Sequence, residues 1–102
     1  MIRGTTPTHI FNLPFETSLL SAVEISYAQK DLVVLTKTTK DCVLDGTKIS
    51  VKLTQGDTLK FNSSMMVQMQ LRVLTIGGDA LSTPVYRVSA KKCLSGGVLI
   101  NE

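Results

Sequence analysis

His9 is the single histidine of a 102-residue chain, and what an imidazole can do depends on its companions. Acid–base or nucleophilic work needs a nucleophile within reach and a group that orients the base. No acidic or cysteine neighbour stands at ligand spacing from His9, so a structural or solvent-facing histidine is expected. Cys42 and Cys93 lie 51 residues apart, and neither Cys-x-x-Cys nor His-x-x-x-His occurs. Two cysteines and a distant histidine fall short of a four-ligand zinc site. In a reducing cytosol both read as small buried or half-buried apolar groups; pairing in an oxidising medium stays open. Asp41, Asp45, Asp57 and Asp79 sit in predicted turns, where aspartate bonds its own backbone, and they lack calcium-loop spacing. Gly77-Gly78 is followed by no Gly-Lys-Ser/Thr, so it reads as a turn and not as a phosphate cradle. Asn62-Ser63-Ser64 has the glycosylation pattern without a secretory context. The expectation is a non-enzymatic chain with no catalytic residue, metal or cofactor.

The totals bound the partners. A chain of this length is one domain that holds a core without staples. Apolar residues make up 43% and charged residues 19%, the balance of an ordinary globular protein. No apolar run nears the ~20 residues of a membrane helix, so no membrane is expected. The opening Met1-Ile2-Arg3-Gly4-Thr5-Thr6-Pro7 lacks a signal-peptide core, which points to synthesis in a cytosol. Eleven basic residues against eight acidic give +3, and the lysines are scattered instead of striped with aromatics. Nucleic acid is therefore not an expected partner.

The elements that would position any site are strands. Met65, Val67, Met69, Leu71 and Val73 alternate with Gln68, Gln70 and Arg72, the period of two that puts one apolar face on a long strand. Met65 and Met69 belong to that core face, which leaves Met66 as the exposed methionine. Thr8–Leu13 is a strand between Pro7 and Pro14, suited to a sheet edge. Glu16–Ser21 is a connector with room for one helical turn. Ala22–Ala28 turns Val23, Ile25 and Tyr27 inward, and Gln29-Lys30-Asp31 breaks it before a strand from Leu32 that fades at Thr38. Cys42–Leu44 leads into Asp45-Gly46, a hairpin signal with positive φ expected at both residues. Its partner Thr47–Thr54 turns Ile49, Val51 and Leu53 inward. Thr54–Thr58 reads as a polar turn, after which Leu59 and Phe61 re-enter the core. Gly77-Gly78-Asp79 returns the long strand into Ala80–Ala90, where Pro84 marks an edge or bulge. About seven short strands and no long helix predict an all-β antiparallel sandwich of immunoglobulin-like size; a small closed barrel is the alternative. The domain spans 1–94 and a tail 95–102.

A chain without a reaction centre works through faces, edges and tails. Two contact surfaces are expected. One is the polar face of the long strand, Gln68, Gln70 and Arg72. The other is the apolar stub Val98, Leu99 and Ile100, a spare strand for a neighbour's open edge. A carbohydrate-binding or host-recognition module is the competing class, but its row of exposed aromatics is missing and there is no Trp.

Three segments also carry a resemblance: Met1–His9, Ile49-Ser50-Val51-Lys52-Leu53-Thr54-Gln55, and Val67-Gln68-Met69-Gln70-Leu71-Arg72-Val73-Leu74. They resemble small proteins encoded in prophages of gut Firmicutes. In outline the chain is also similar to the immunoglobulin-like N-terminal domain of phage baseplate upper proteins. That resemblance implies a virion component, an accessory or decoration subunit of tail, baseplate or head. Its partners would be other phage structural proteins and copies of itself. It supplies no catalytic residue, and for a sequence of this length a complete tail-fibre or receptor-binding role is not expected.

Overall fold

Alternating apolar residues can hide only if two sheets face each other, and that is the arrangement formed. The structure, a computed structural model, describes residues 1–101. The smaller sheet orders β1 (Thr8–Asn12), β5 (Lys48–Lys52) and β4 (Cys42–Asp45). The larger orders β3 (Leu32–Thr38), β2 (Leu20–Gln29) and β6 (Met66–Thr75), with β7 (Ala80–Ser82) and β8 (Tyr86–Ser89) both laid along β6. All these pairings are antiparallel. The expected all-β sandwich is thus present, with eight strands among the described residues instead of about seven. Its shortest extent is 17 Å, two stacked layers and their side chains.

The inward residues are those the alternation selects. Val23, Ile25, Tyr27, Ile49, Val51 and Leu53 are all 3% exposed or less. They join Phe11, Phe61, Val67, Met69, Leu71 and Val73 in one cluster spanning both sheets. Met65 is only half-buried and the strand begins at Met66, which is exposed as expected. β1 is an edge strand, also as its flanking prolines imply.

Turn chemistry departs from expectation in four places. Gln29 does not lie in the β2–β3 break; it ends β2, and its buried amide donates to the Asn62 and Met65 carbonyls and accepts from Asn62 N–H. The loop is Lys30-Asp31 alone, with φ of +50° and +63°. In the β4–β5 hairpin Asp45 pairs with Lys48, so the loop is Gly46-Thr47 and only Gly46 takes positive φ, +57°. That matches a turn with glycine at its first central position, not the mirror-type-I turn expected. The polar turn at Thr54–Thr58 is a single-turn helix, α1 (Gln55–Leu59). Thr54 Oγ1 accepts from Asp57 N–H at 3.1 Å while Asp57 Oδ2 accepts from Thr54 N–H at 2.9 Å, a reciprocal cap that satisfies donors a helix start leaves open. The strand expected over Ala80–Ala90 is split at Pro84 into β7 and β8, and Thr83 Oγ1 accepts the Leu71 N–H at the gap.

The ends of the sandwich are tied. One 3₁₀ turn, Thr17–Leu19, fills the connector before β2. Ile2 bridges Lys91 in parallel, and the Met1 ammonium donates to the Ser89 carbonyl at 2.9 Å.

Candidate functional site

The interior holds one polar row. Cross-strand register sets His9 and Cys42 on either side of Val51 in the smaller sheet. Opposite lies Tyr27 of β2, whose hydroxyl is 2.7 Å from His9 Nδ1. Either neutral imidazole tautomer closes that bond, accepting from the phenol or donating to it. Burial, helped by the Met1 ammonium, pushes the imidazole below its ordinary 6.5. Burial, with Cys42 and Asp57 adding to it, pushes the Tyr27 phenol well above its usual value. Burial and then Asp41 push the Cys42 thiol up as well, with Lys37 opposing. Near neutral pH the row is therefore an uncharged imidazole, phenol and thiol, without a thiolate to attack or an acid to give a proton. Its effect is to pin one sheet to the other. Among the described residues no three of His, Cys, Asp and Glu gather as metal ligands.

A second interior contact joins β3 to α1. Lys37 Nζ meets Asp57 Oδ2 at 2.8 Å, with the side chains 15% and 11% exposed. Burial would raise the Asp57 carboxyl, but the Lys37 ammonium and Thr54 outweigh it and hold the group below 3.8. Sequence spacing gave no sign of this pair, because the two residues lie 20 positions apart and meet only across the sandwich.

The outer face of the larger sheet brings together three residues singled out above. Gln68, Gln70 and Arg72 stand beside Ala28, Ser26 and Glu24 of β2, row by row. The short Ala28 and Ser26 side chains leave a shallow depression of about 290 Å³, closed at its sides by Val33 and Val85. The polar groups on it already have partners. Gln68 donates to Asp31 Oδ1 and accepts from Asp31 N–H, both at 2.8 Å, closing the β2–β3 turn. Gln70 Nε2 donates to the Thr83 carbonyl at 3.0 Å. Arg72 pairs loosely with Glu24 at 3.7 Å, both side chains well exposed, and the exposed Arg87 of β8 stands opposite Gln68 on the same face.

Val98, Leu99 and Ile100 lie elsewhere. They stand 57%, 77% and 80% exposed. Leu99 N–H donates to Gln55 Oε1 at 2.7 Å and Gln55 Nε2 donates to the Leu99 carbonyl at 3.1 Å. Val98 rests beside Thr6, Leu53 and Gly56, near the start of α1. The six candidate contact residues thus form two separate surfaces. The Glu102 end of the tail falls outside the described residues.

A third surface escaped the sequence reading. Between β1 and the β7–β8 pair the sandwich is open, and a groove of about 490 Å³ runs there over Met69, Leu71 and Val88. A smaller hollow of about 230 Å³ continues it past Leu13 and Phe15 to Leu81. Ile10, Leu81 and Tyr86 are 45–56% exposed around it. The only advance signal was the pair of prolines that made β1 an edge.

No family model matches the chain. No curated protein matches it. A solved structure of the V domain of amphioxus IgVJ-C2 is similar to it at 10% identity and a TM-score of 0.37, over 88% of this chain and 96% of that chain. Nothing about this chain's chemistry follows from likeness at that level.

Proposed function

We propose that this chain is a non-enzymatic assembly module, working through protein–protein contacts that include copies of itself. One observation carries the reading. A compact monomer of 11.1 kDa exposes about 5,650 Å², whereas this chain exposes 6439 Å². The excess, about 800 Å², is what one partner contributes to an interface of standard size. Apolar side chains at open strand edges make up part of it, and such edges call for a neighbour.

Within that class we favour a structural subunit of a phage particle, an accessory or decoration protein of tail, baseplate or head. Support for this finer reading is the resemblance of Met1–His9, residues 49–55 and residues 67–74 to prophage-encoded proteins. Symmetric particles also supply the repeated neighbours that a sandwich with uncovered edges needs. The experiment is mass spectrometry of phage particles induced from the strain that carries the gene, beside sedimentation of the purified chain over a concentration series. Stoichiometric peptides in washed particles are the expected result. A chain absent from particles overturns the phage reading. A chain that also stays monomeric while binding a glycan array would make it the carbohydrate module instead.

A further inference from the structure

The geometry points to the free edge of β1 as a strand-acceptor site, filled by residues 98–100 of a second copy of this chain. The inference rests on the assembly reading and names the surfaces that perform it.

The acceptor follows from register. Leu13 N–H donates to the Thr47 carbonyl and Leu53 N–H to the Pro7 carbonyl, at 2.8 and 2.9 Å. In an antiparallel ladder the residues that exchange bonds alternate along the strand. Pairs 7–53 and 13–47 therefore put the odd-numbered residues of β1 on β5. The N–H and C=O groups of Thr8, Ile10 and Asn12 point the other way, along the groove, where no described strand meets them. The groove floor is apolar, with Met69 and Leu71 of β6 and Val88 of β8. An added strand would pair with β1 and cover that floor at once.

The donor follows from the tail. Val98, Leu99 and Ile100 are the right length and polarity for a short added strand, and they are largely exposed. In its own chain Leu99 offers its N–H and C=O to one side-chain amide, that of Gln55. A carboxamide carries the same donor and acceptor as a peptide group. Moving the segment onto Ile10 of another copy exchanges equivalent hydrogen bonds and adds apolar burial. Val98 and Ile100 would point to one side of the new strand and Leu99 to the other. The surface excess of about 800 Å² is of the order one partner contributes to a standard interface, of which the added strand would cover a part. Donor and acceptor are different patches, so the interface is head-to-tail, and copies close into a ring or run on as a filament.

Two full-length variants test this. Ile10→Pro removes the donor at the free edge while its bonds to β5, carried by odd residues, stay; Ile10→Lys serves if the proline variant does not fold. The second variant is Val98→Asp with Ile100→Asp. Sedimentation of the wild type is expected to show self-association, and each variant alone to weaken it by about tenfold or more. Mixed one to one, the variants keep one intact acceptor and one intact donor, so they pair as a heterodimer and stop there. A wild type that self-associates regardless of either variant, or variants that fail to pair, overturns the strand-acceptor assignment and leaves the assembly reading in place. A monomeric wild type that still incorporates into particles overturns it in the same way. A monomeric wild type absent from particles removes both.

Discussion

His9 illustrates how a residue's environment decides its chemistry. Because burial keeps the imidazole neutral in the fold, the unfolded chain takes up the proton first as pH falls. The unfolding free energy then declines as pH drops from the ordinary value of 6.5 toward the lower folded value, and is intact above it. Urea unfolding at steps from pH 8 to 5 is expected to show that decline, and His9→Gln is expected to flatten it. Asp57 acts in a lower window. Its carboxyl sits below 3.8 in the fold, so its contribution is present above 3.8 and is lost as pH falls from there through the lower folded value. Asp57→Ala strips the cap of α1 and leaves the mostly buried Lys37 ammonium without its partner. The expected loss is about 2–3 kcal/mol by chemical denaturation. Asp57→Asn keeps an acceptor for Thr54 N–H and should lose less. Equal losses would assign the whole effect to charge.

At the scale of elements, hairpin turns hold the least comfortable backbone. Lys30 and Asp31 both occupy the left-handed region, at φ +50° and +63°. Asp31 is held there by the Gln68 amide, whereas the Lys30 side chain is exposed and bonds nothing on the β6 face. Lys30→Gly is expected to raise stability by roughly 0.5–1 kcal/mol, because relief of left-handed strain exceeds glycine's entropy cost. A melting temperature that falls instead would mean the turn has no strain to relieve. The alternation in β2, β5 and β6 was readable from residue types because burial on one face leaves a period of two. The helix α1 was not. Thr54-Gln55-Gly56-Asp57 is as good a turn as a helix start, and Phe61 packing into the core behind it tips the balance.

At the scale of the whole molecule, two stacked sheets of unequal strand number leave edges that no part of the described chain covers. The radius of gyration, 14.6 Å, exceeds the ~12.8 Å of a compact domain of this length. Association would bury the excess surface and stabilise the fold by mass action. The melting temperature is therefore expected to rise with protein concentration, by about 4–8 °C for each kcal/mol of coupling. Calorimetry over a dilution series checks this, and a concentration-independent melt would mean a monomer.

Residue order alone determined the fold class, the inward faces and the edge character of β1. Those properties come from local period and from proline's missing N–H, which neighbours in sequence express. It also marked Gln68, Gln70, Arg72 and the Val98–Ile100 stub as outward-facing. Only the tertiary structure decided that these six residues form two surfaces, that Gln68 closes a turn, and that a groove lies open beside Ile10. It likewise decided that His9 meets Tyr27 and that Lys37 meets Asp57. Such contacts join residues far apart in the chain, and their partners are chosen by strand order and register, which the spacing of apolar residues leaves free.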